Sequence, residues 1–373
     1  MVMRGNYELY NVNERKGAKF MKQIIGYSSS GNVEEAVNAM TSPQAIIFFA
    51  GKDYVENAAK EIAAKFPEAV SIGCVGQSYA EDKVYDDGLL VLGYEGASAV
   101  AGVIEDVGTM PLASIEDIRK NAEEIKAGKD NTVCVDFTTG NDAELVTTFN
   151  IVLRENNIPL VGGTAWEDTV ACNGKVYNNA CVYMFLKNTS GKIKAYKENL
   201  YGIHPAGYRH VATKVDPTRS ALFELDGKPV QEVYAETLGI QQKDLAGQTI
   251  MNPLGRVIGN EVYLLSLKEE IENQGFTCYK KVNHMDIITV MELKDMTSII
   301  NGTINQIRGD FSKISGMFSV NCIFRHVLFE QKNYETEYLN MMNALGTHAG
   351  LYGLGEHYNT QHVNQTMSGF AFE

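Results

Sequence analysis

Gly350-Leu351-Tyr352-Gly353-Leu354-Gly355-Glu356-His357, with Asn364-Gln365-Thr366-Met367-Ser368-Gly369-Phe370 a few residues on, is the stretch whose reading decides the fold. Leu351, Gly353 and Gly355 alternate with Tyr352, Leu354 and Glu356, the period of two that belongs to a strand. Glycine inside a strand marks close approach of another backbone, so this strand is expected to be crowded by a neighbour. Met367 to Phe372 alternates again and is expected to return as the adjacent antiparallel strand. Glu356 and Asn364 then meet at one end of a hairpin. A carboxylate and a carboxamide there can grip a small polar ligand or satisfy loop amides.

Outward from this stretch, the same order of elements recurs. Gly316 to Cys322 reads as a strand, a helix lies around Tyr338 to Leu345, and the closing strands follow. Far upstream, Ala45-Ile46-Ile47-Phe48-Phe49-Ala50 is too apolar to face water and reads as a buried central strand. A helix follows it, with Val55, Ala58, Ala59, Ile62, Ala63 and Phe66 on one face and Pro67 at its end. Strands over 70–74, 89–94 and 98–103 complete the unit. A shorter helix is expected over 33–40. Thr132 to Phe137, the stripe Leu145, Val146, Phe149, Val152 and Leu153, and Pro159-Leu160-Val161-Gly162-Gly163 repeat the pattern. Ile72-Gly73 matches Val161-Gly162 and Val84-Tyr85 matches Val176-Tyr177 at nearly constant offset, so 45–107 and 132–197 read as an internal duplication. The expected fold class is α+β: two domains with mixed, largely antiparallel sheets flanked by helices, built from repeated strand-helix-strand-strand units. His204-Pro205-Ala206-Gly207-Tyr208 breaks the pattern, giving a loose tail over 1–21 and domains over 22–205 and 206–373.

A chain of 373 residues exceeds the roughly 250–300 at which one core stops growing. A formal charge of −13 disfavours a nucleic-acid partner, because phosphate binding needs a basic face, and it disfavours anionic membranes too. No apolar run reaches the ~18 residues that span a bilayer. The first twenty residues carry Arg4, Arg15, Lys16 and Lys19 without an apolar stretch, unlike a secretory signal. Six cysteines, at 74, 134, 172, 181, 278 and 322, show neither a CxxC pair nor regular spacing, against zinc and against a disulfide framework. A reduced, cytoplasmic setting is expected.

Several segments together resemble one family. Pro159 to Ala165 with Asp168 resembles the signature of the amino-terminal FIST domain (F-box and intracellular signal transduction). Cys322 with Arg325, Gly350 to Glu356, and Asn364-Gln365-Thr366 resemble the carboxy-terminal FIST domain, and Asn252-Pro253-Leu254 stands where that domain carries a Pro-Leu pair. The resemblance covers about Lys22 to Glu373. It departs at Gly350-Leu351-Tyr352, where an aromatic-rich Gly-Phe-Phe-like stretch is usual, and at Ile323-Phe324, where small residues are common. It implies a sensory module that binds a small molecule, with amino acids or their derivatives as the ligand class; some members resemble haem-binding nitric-oxide sensors. No kinase, cyclase, F-box or methyl-accepting segment accompanies it, so a signal is expected to leave through a separate signalling protein.

The expected ligand site consists of Arg325, Glu356, Asn364, Tyr352, Cys322, Gly355 and Thr366. Arg325 follows an apolar strand, and its planar fork suits a ligand carboxylate or an internal pair with Glu356. Cys322 could serve an enzyme of acyl or amide chemistry with Arg325 and Glu356, yet His326, four residues further along an assumed strand, would be roughly 13 Å away. Gly162-Gly163-Thr164 lacks a Walker lysine and full GxGxxG spacing, and reads as close packing. Asp136, Asp142 and Asp168 sit at strand ends, where solvated carboxylates are usual. The seven histidines contain no HxxxH or HxH pair, so no metal is expected, and a single axial haem histidine stands as an alternative. His357 and His362 are expected on a solvated loop. The reading is of a sensor rather than a catalyst. One outcome follows directly: alkylation of the unfolded chain without reductant is expected to label six thiols, and a mapped disulfide would overturn the cytoplasmic expectation.

Overall fold

The computed structural model describes residues 20–245, 247–259, 261–271 and 275–373. Most of the expected tail therefore lies outside the described residues, and Met21 is already core. Three sections of chain each build most of one sheet. The first runs β1 (Lys22–Ser28), α1 (Val33–Ala36), β2 (Ala45–Ala50), α2 (Val55–Lys65), β3 (Val70–Val75), a hairpin of β4 (Ser78–Ala80) and β5 (Lys83–Tyr85), and β6 (Leu89–Glu95). The second repeats this order as β7 (Ala97–Glu105), α3 (Ile115–Glu124), β8 (Thr132–Thr138), α4 (Asp142–Asn156), β9 (Leu160–Thr164), the hairpin β10 (Val170–Cys172) and β11 (Lys175–Tyr177), and β12 (Ala180–Asn188). The third opens with β13 (Ile193–Asn199). An insertion between Tyr201 and Leu293 holds strands β14 to β22 with α5 (Val230–Leu238) and α6 (Gln248–Met251). The section resumes as α7 (Met296–Asp310), β23 (Gly316–Cys322), α8 (Ile323–Gln331), α9 (Glu335–Asn343), β24 (His348–Gly353), the hairpin β25 (Glu356–Tyr358) and β26 (Gln361–Val363), and β27 (Thr366–Phe372).

The pairing is the same three times. Each apolar central strand lies parallel to the strand after its helix, as β2–β3, β8–β9 and β23–β24, and antiparallel to the closing strand, as β2–β6, β8–β12 and β23–β27. The opening strand adds to the closing one. The hairpins are exchanged cyclically: β4–β5 joins β24, β10–β11 joins β3 and β25–β26 joins β9. Each six-stranded sheet is thus completed by another section. Backbone bonds tie the sections where the parallel partners β3, β9 and β24 end, from Trp166 N–H to Val75 O at 2.8 Å, from Leu354 N–H to Thr164 O at 3.0 Å and from Tyr352 N–H to Gln77 O at 2.9 Å.

The expected duplication is present and extends to the third section. Gly73 lies opposite Phe48 and Ala171, Gly162 opposite Asp136 and His357, and Gly350 opposite Ser319 and Tyr79. The inner faces of the three sheets share one core, where Phe49, Phe137 and Phe318 meet with ring centroids 5.4–6.4 Å apart. Burial of each such side chain contributes about 1.5–3 kcal/mol. Helices cover the outer faces: α1 and α2 on the first sheet, α3 and α4 on the second, α7 to α9 on the third. The insertion has its own sheet and core. The architecture is α+β, as expected. No helix among the described residues is long and apolar enough to cross a membrane.

Other expectations change. Helix α1 is a single turn rather than the eight residues expected. Strands β24 and β27 are not neighbours: β24 takes one edge of β23 through its parallel crossover, which leaves the other edge to β27. The true hairpin is the short β25–β26 between them. The chain also leaves the strand at Cys322, so Arg325 and His326 lie on α8. Residues 205 and 206 fall inside the insertion, and strands from both sides of that point share sheets.

Two glycines give opposite outcomes. A Cβ on Gly350 would lie 1.8 Å from the Ser319 carbonyl oxygen, so Gly350→Ala is expected to lower unfolding stability by about 1–3 kcal/mol or more. Gly302, in the interior of α7, has open space around its Cβ position, and Gly302→Ala is expected to raise stability by about 0.5–1 kcal/mol. Urea midpoints of both variants check the register.

Candidate functional site

The second sheet replaces apolar packing with charge at the position that repeats three times. In the first sheet the Phe48 ring covers Gly73, with Ala171 beyond it. In the second, Asp136 stands where Phe48 does, and the missing side chain of Gly162 leaves room for its carboxylate, since a Cβ there would lie 2.1 Å from Asp136 Oδ1. The exchanged strand β25 brings His357 opposite Gly162. Its Nδ1 lies 2.7 Å from Asp136 Oδ2 and its Nε2 3.0 Å from Asp142 Oδ1. Asp142 opens α4 after Asn141, which is left-handed, and it also accepts a bond from the Thr164 hydroxyl.

Burial alone would lower the His357 pKa, but Asp136 and then Asp142 raise it to about 10, so the ring is an imidazolium clamped between two carboxylates. Burial pushes Asp136 up despite that partner. Asp142 is held below the usual carboxylate range although burial opposes this. Burial takes neighbouring His362 down to about 3, so it is neutral at pH 7 and His357 is the cation that keeps Asp142 ionised.

Beside this clamp, the backbone of β25 puts Glu356 into a second buried cluster. Thr366 donates to Glu356 Oε2 from its N–H at 3.1 Å and its hydroxyl at 2.7 Å, while Oε1 has no partner among the described residues. Burial raises Glu356 to about 7, against the opposing effects of Thr366, Cys322 and Lys280. The buried Cys322 thiol is pushed well above its ordinary pKa, first by burial and then by Glu356. Lys280, from the insertion, is 7% exposed and donates to His362 O at 2.7 Å. Burial lowers it to about 7, with Glu356 pulling the other way. Asn364 Oδ1 and Gln365 Oε1 are buried without partners among the described residues. Lys280, Asp142 and His362 line a cleft of about 590 Å³, together with Arg256, Tyr263 and Lys281 of the insertion.

Among the residues expected from sequence, Glu356, Thr366 and Cys322 come together, and buried Asn364 follows Val363, the register partner of Glu356. Gly355 lets His362 close in, since a Cβ there would lie 2.7 Å from its Nε2. Arg325 and Tyr352 lie on the outer face of the third sheet. Arg325 pairs with Glu198 at 2.7 Å, both fully buried, rather than with Glu356, and packs on the rings of Phe329 and Tyr338. Glu198 raises the Arg325 pKa although burial opposes it. The Tyr352 hydroxyl bonds to Glu335, and its ring tilts over His326 at 4.5 Å. His357 is fully buried rather than on a solvated loop, because β25 is a sheet strand. Asp136 and Asp142 are likewise drawn in by that imidazolium, whereas Asp168 is exposed as expected. Lys280 was missed, and nothing in Tyr279-Lys280-Lys281 separates it from its exposed neighbour. Asp136 did carry a signal, a lone carboxylate where the repeat has Phe48.

Two measurements test these pairs. Arg325→Ala leaves Glu198 buried and alone, and an unfolding loss of roughly 3–5 kcal/mol is expected. For His357 the folded pKa lies above the unfolded value near 6.5, so its contribution is complete below that pH and is lost as pH rises through about 10. The stability gap between the natural chain and His357→Gln is therefore expected to shrink from pH 7 upward; a constant gap across urea titrations would contradict the clamp.

Curated protein sequences return no match. Residues 44–228 match the FIST N domain and residues 231–359 the FIST C domain. FIST domains are associated with signal-transduction sensing. With both domains matched in order around this clamp and cleft, the chain belongs to the FIST family.

Proposed function

We propose that this chain is a cytoplasmic sensor whose cleft binds a small zwitterion, an amino acid or derivative, and passes its occupancy to a separate signalling protein. The observation that carries this is a buried lysine amine with unused hydrogen-bonding capacity on the wall of a cleft that the Asp142 carboxylate also lines. Lys280 has three donors and one acceptor among the described residues, and Glu356 Oε1 has no partner. Unfilled donors cost free energy, so a ligand carboxylate on Lys280 and a ligand amine near Asp142 would relieve the site. Arg256 and Lys281 on the cleft wall favour the anionic end. The buried, unpaired thiols suit a reducing compartment, and the net charge argues against nucleic acid as partner.

Acyl or amide chemistry at Cys322 has weaker support, because burial holds its thiol protonated and Arg325 faces away from it. Native mass spectrometry of freshly purified protein, followed by calorimetric titration with a panel of amino acids, tests the proposal. Lys280→Met removes a charge-assisted bond worth roughly 1.5–3 kcal/mol, and affinity is expected to fall about ten- to hundredfold with the fold intact. Unchanged affinity would remove Lys280 from the site. A Soret band on haem loading, with no retained small molecule, would favour the haem-dependent gas sensor instead.

A further inference from the structure

Lys280 differs from an ordinary ion-pairing lysine in its surroundings. It is almost fully buried, its one hydrogen bond among the described residues goes to a carbonyl rather than a carboxylate, and it still lines the wall of an open cleft. Arg256 faces the same cleft, bonded to Asp286 through Nη1 at 3.2 Å, with its buried Nε lacking any partner among the described residues. A nucleophilic amine and an unfilled guanidinium on one wall match a molecule that carries a carbonyl next to an anionic group.

We infer that Lys280 captures a small 2-oxo acid or aldehyde as a reversible imine on the cleft wall. The reading of the cleft as the ligand site underlies this. The amine lone pair attacks the carbonyl carbon, a C–N bond forms and the carbonyl π pair moves to oxygen. That oxygen takes a proton and the nitrogen loses one, giving a carbinolamine. The hydroxyl then leaves as water after protonation, the second N–H proton departs, and C=N remains; no oxidant or reductant is consumed. Burial brings Lys280 to about 7, so a large part of its amine is free at neutral pH. The free-amine fraction then exceeds that of a surface lysine by a factor on the order of a thousand.

Glyoxylate with cyanoborohydride, applied to the full chain and followed by peptide mapping, tests the step beside calorimetry with the amino-acid panel. The expected result is one equivalent of reduced adduct at Lys280, about tenfold or more above Lys281, with a yield that rises through neutral pH and is lost in Lys280→Arg. Adduct spread evenly over surface lysines overturns the imine. If the same preparation still binds an amino acid, the ligand-site reading stands without it; silence in both experiments overturns both.

Discussion

The exchange of hairpins is the constraint on which the rest depends. A central strand, its parallel partner and its closing strand leave the parallel partner with a free edge, and a free edge is a template for further pairing. Here each edge is filled by a three-residue strand from another section, so each sheet needs a second section and the set of three closes only when all three sections are present. This closure is what carries His357 to Asp136, whose positions in sequence are more than two hundred residues apart.

The three equivalent positions allow the energetics to be compared within one molecule. Phe48 and Ala171 in the first sheet need only apolar contact. In the second, the buried His357 imidazolium stands between the carboxyls of fully buried Asp136 and partly exposed Asp142, and an ion taken out of water costs several kcal/mol that attraction offsets only with good geometry. The 2.7 Å and 3.0 Å contacts supply that geometry. Since the first sheet reaches the same pairing without charge, the fold does not require the clamp. The charges are specific to the side that opens on the cleft, where Asp142 presents a carboxylate whose ionisation no longer depends on solvent. The third sheet is intermediate, with Tyr79, Ser319 and His348 in neutral hydrogen bonds and His348 lowered to about 3 by burial.

Sequence pattern revealed which faces are buried but not what buries them. The central strands, the apolar stripe of α4 and the repeated glycines were legible because hydrophobic period and backbone crowding are local properties. Strands of three residues carry too little period to be placed, so the exchanged hairpins and the burial of His357 were not. Lys280 is a further case: its neighbour Lys281 shares its chemistry, and only the docking of the insertion on the β25–β26 hairpin separates them. The one-turn α1 and the helical placing of Arg325 and His326 after β23 were not legible for the opposite reason, because apolar residues continue past the point where the backbone turns.

The division of the expected site follows from the same alternation that suggested it. Thr366 and Met367 are adjacent in β27 and so point to opposite faces of the third sheet. Thr366 holds Glu356 on the face opposite the helices. Met367 lies opposite Glu198 in β13 and Asn321 in β23 on the helical side, where Glu198 holds Arg325 and Asn321 meets Tyr338. Cys322 and Asn321 divide in the same way one strand over, and α8 then carries Arg325 back across the outer face. Residues that motif spacing groups together therefore form two buried polar clusters separated by the thickness of one sheet. They share the backbone of β27, so neither cluster can shift its strand without moving the anchor of the other.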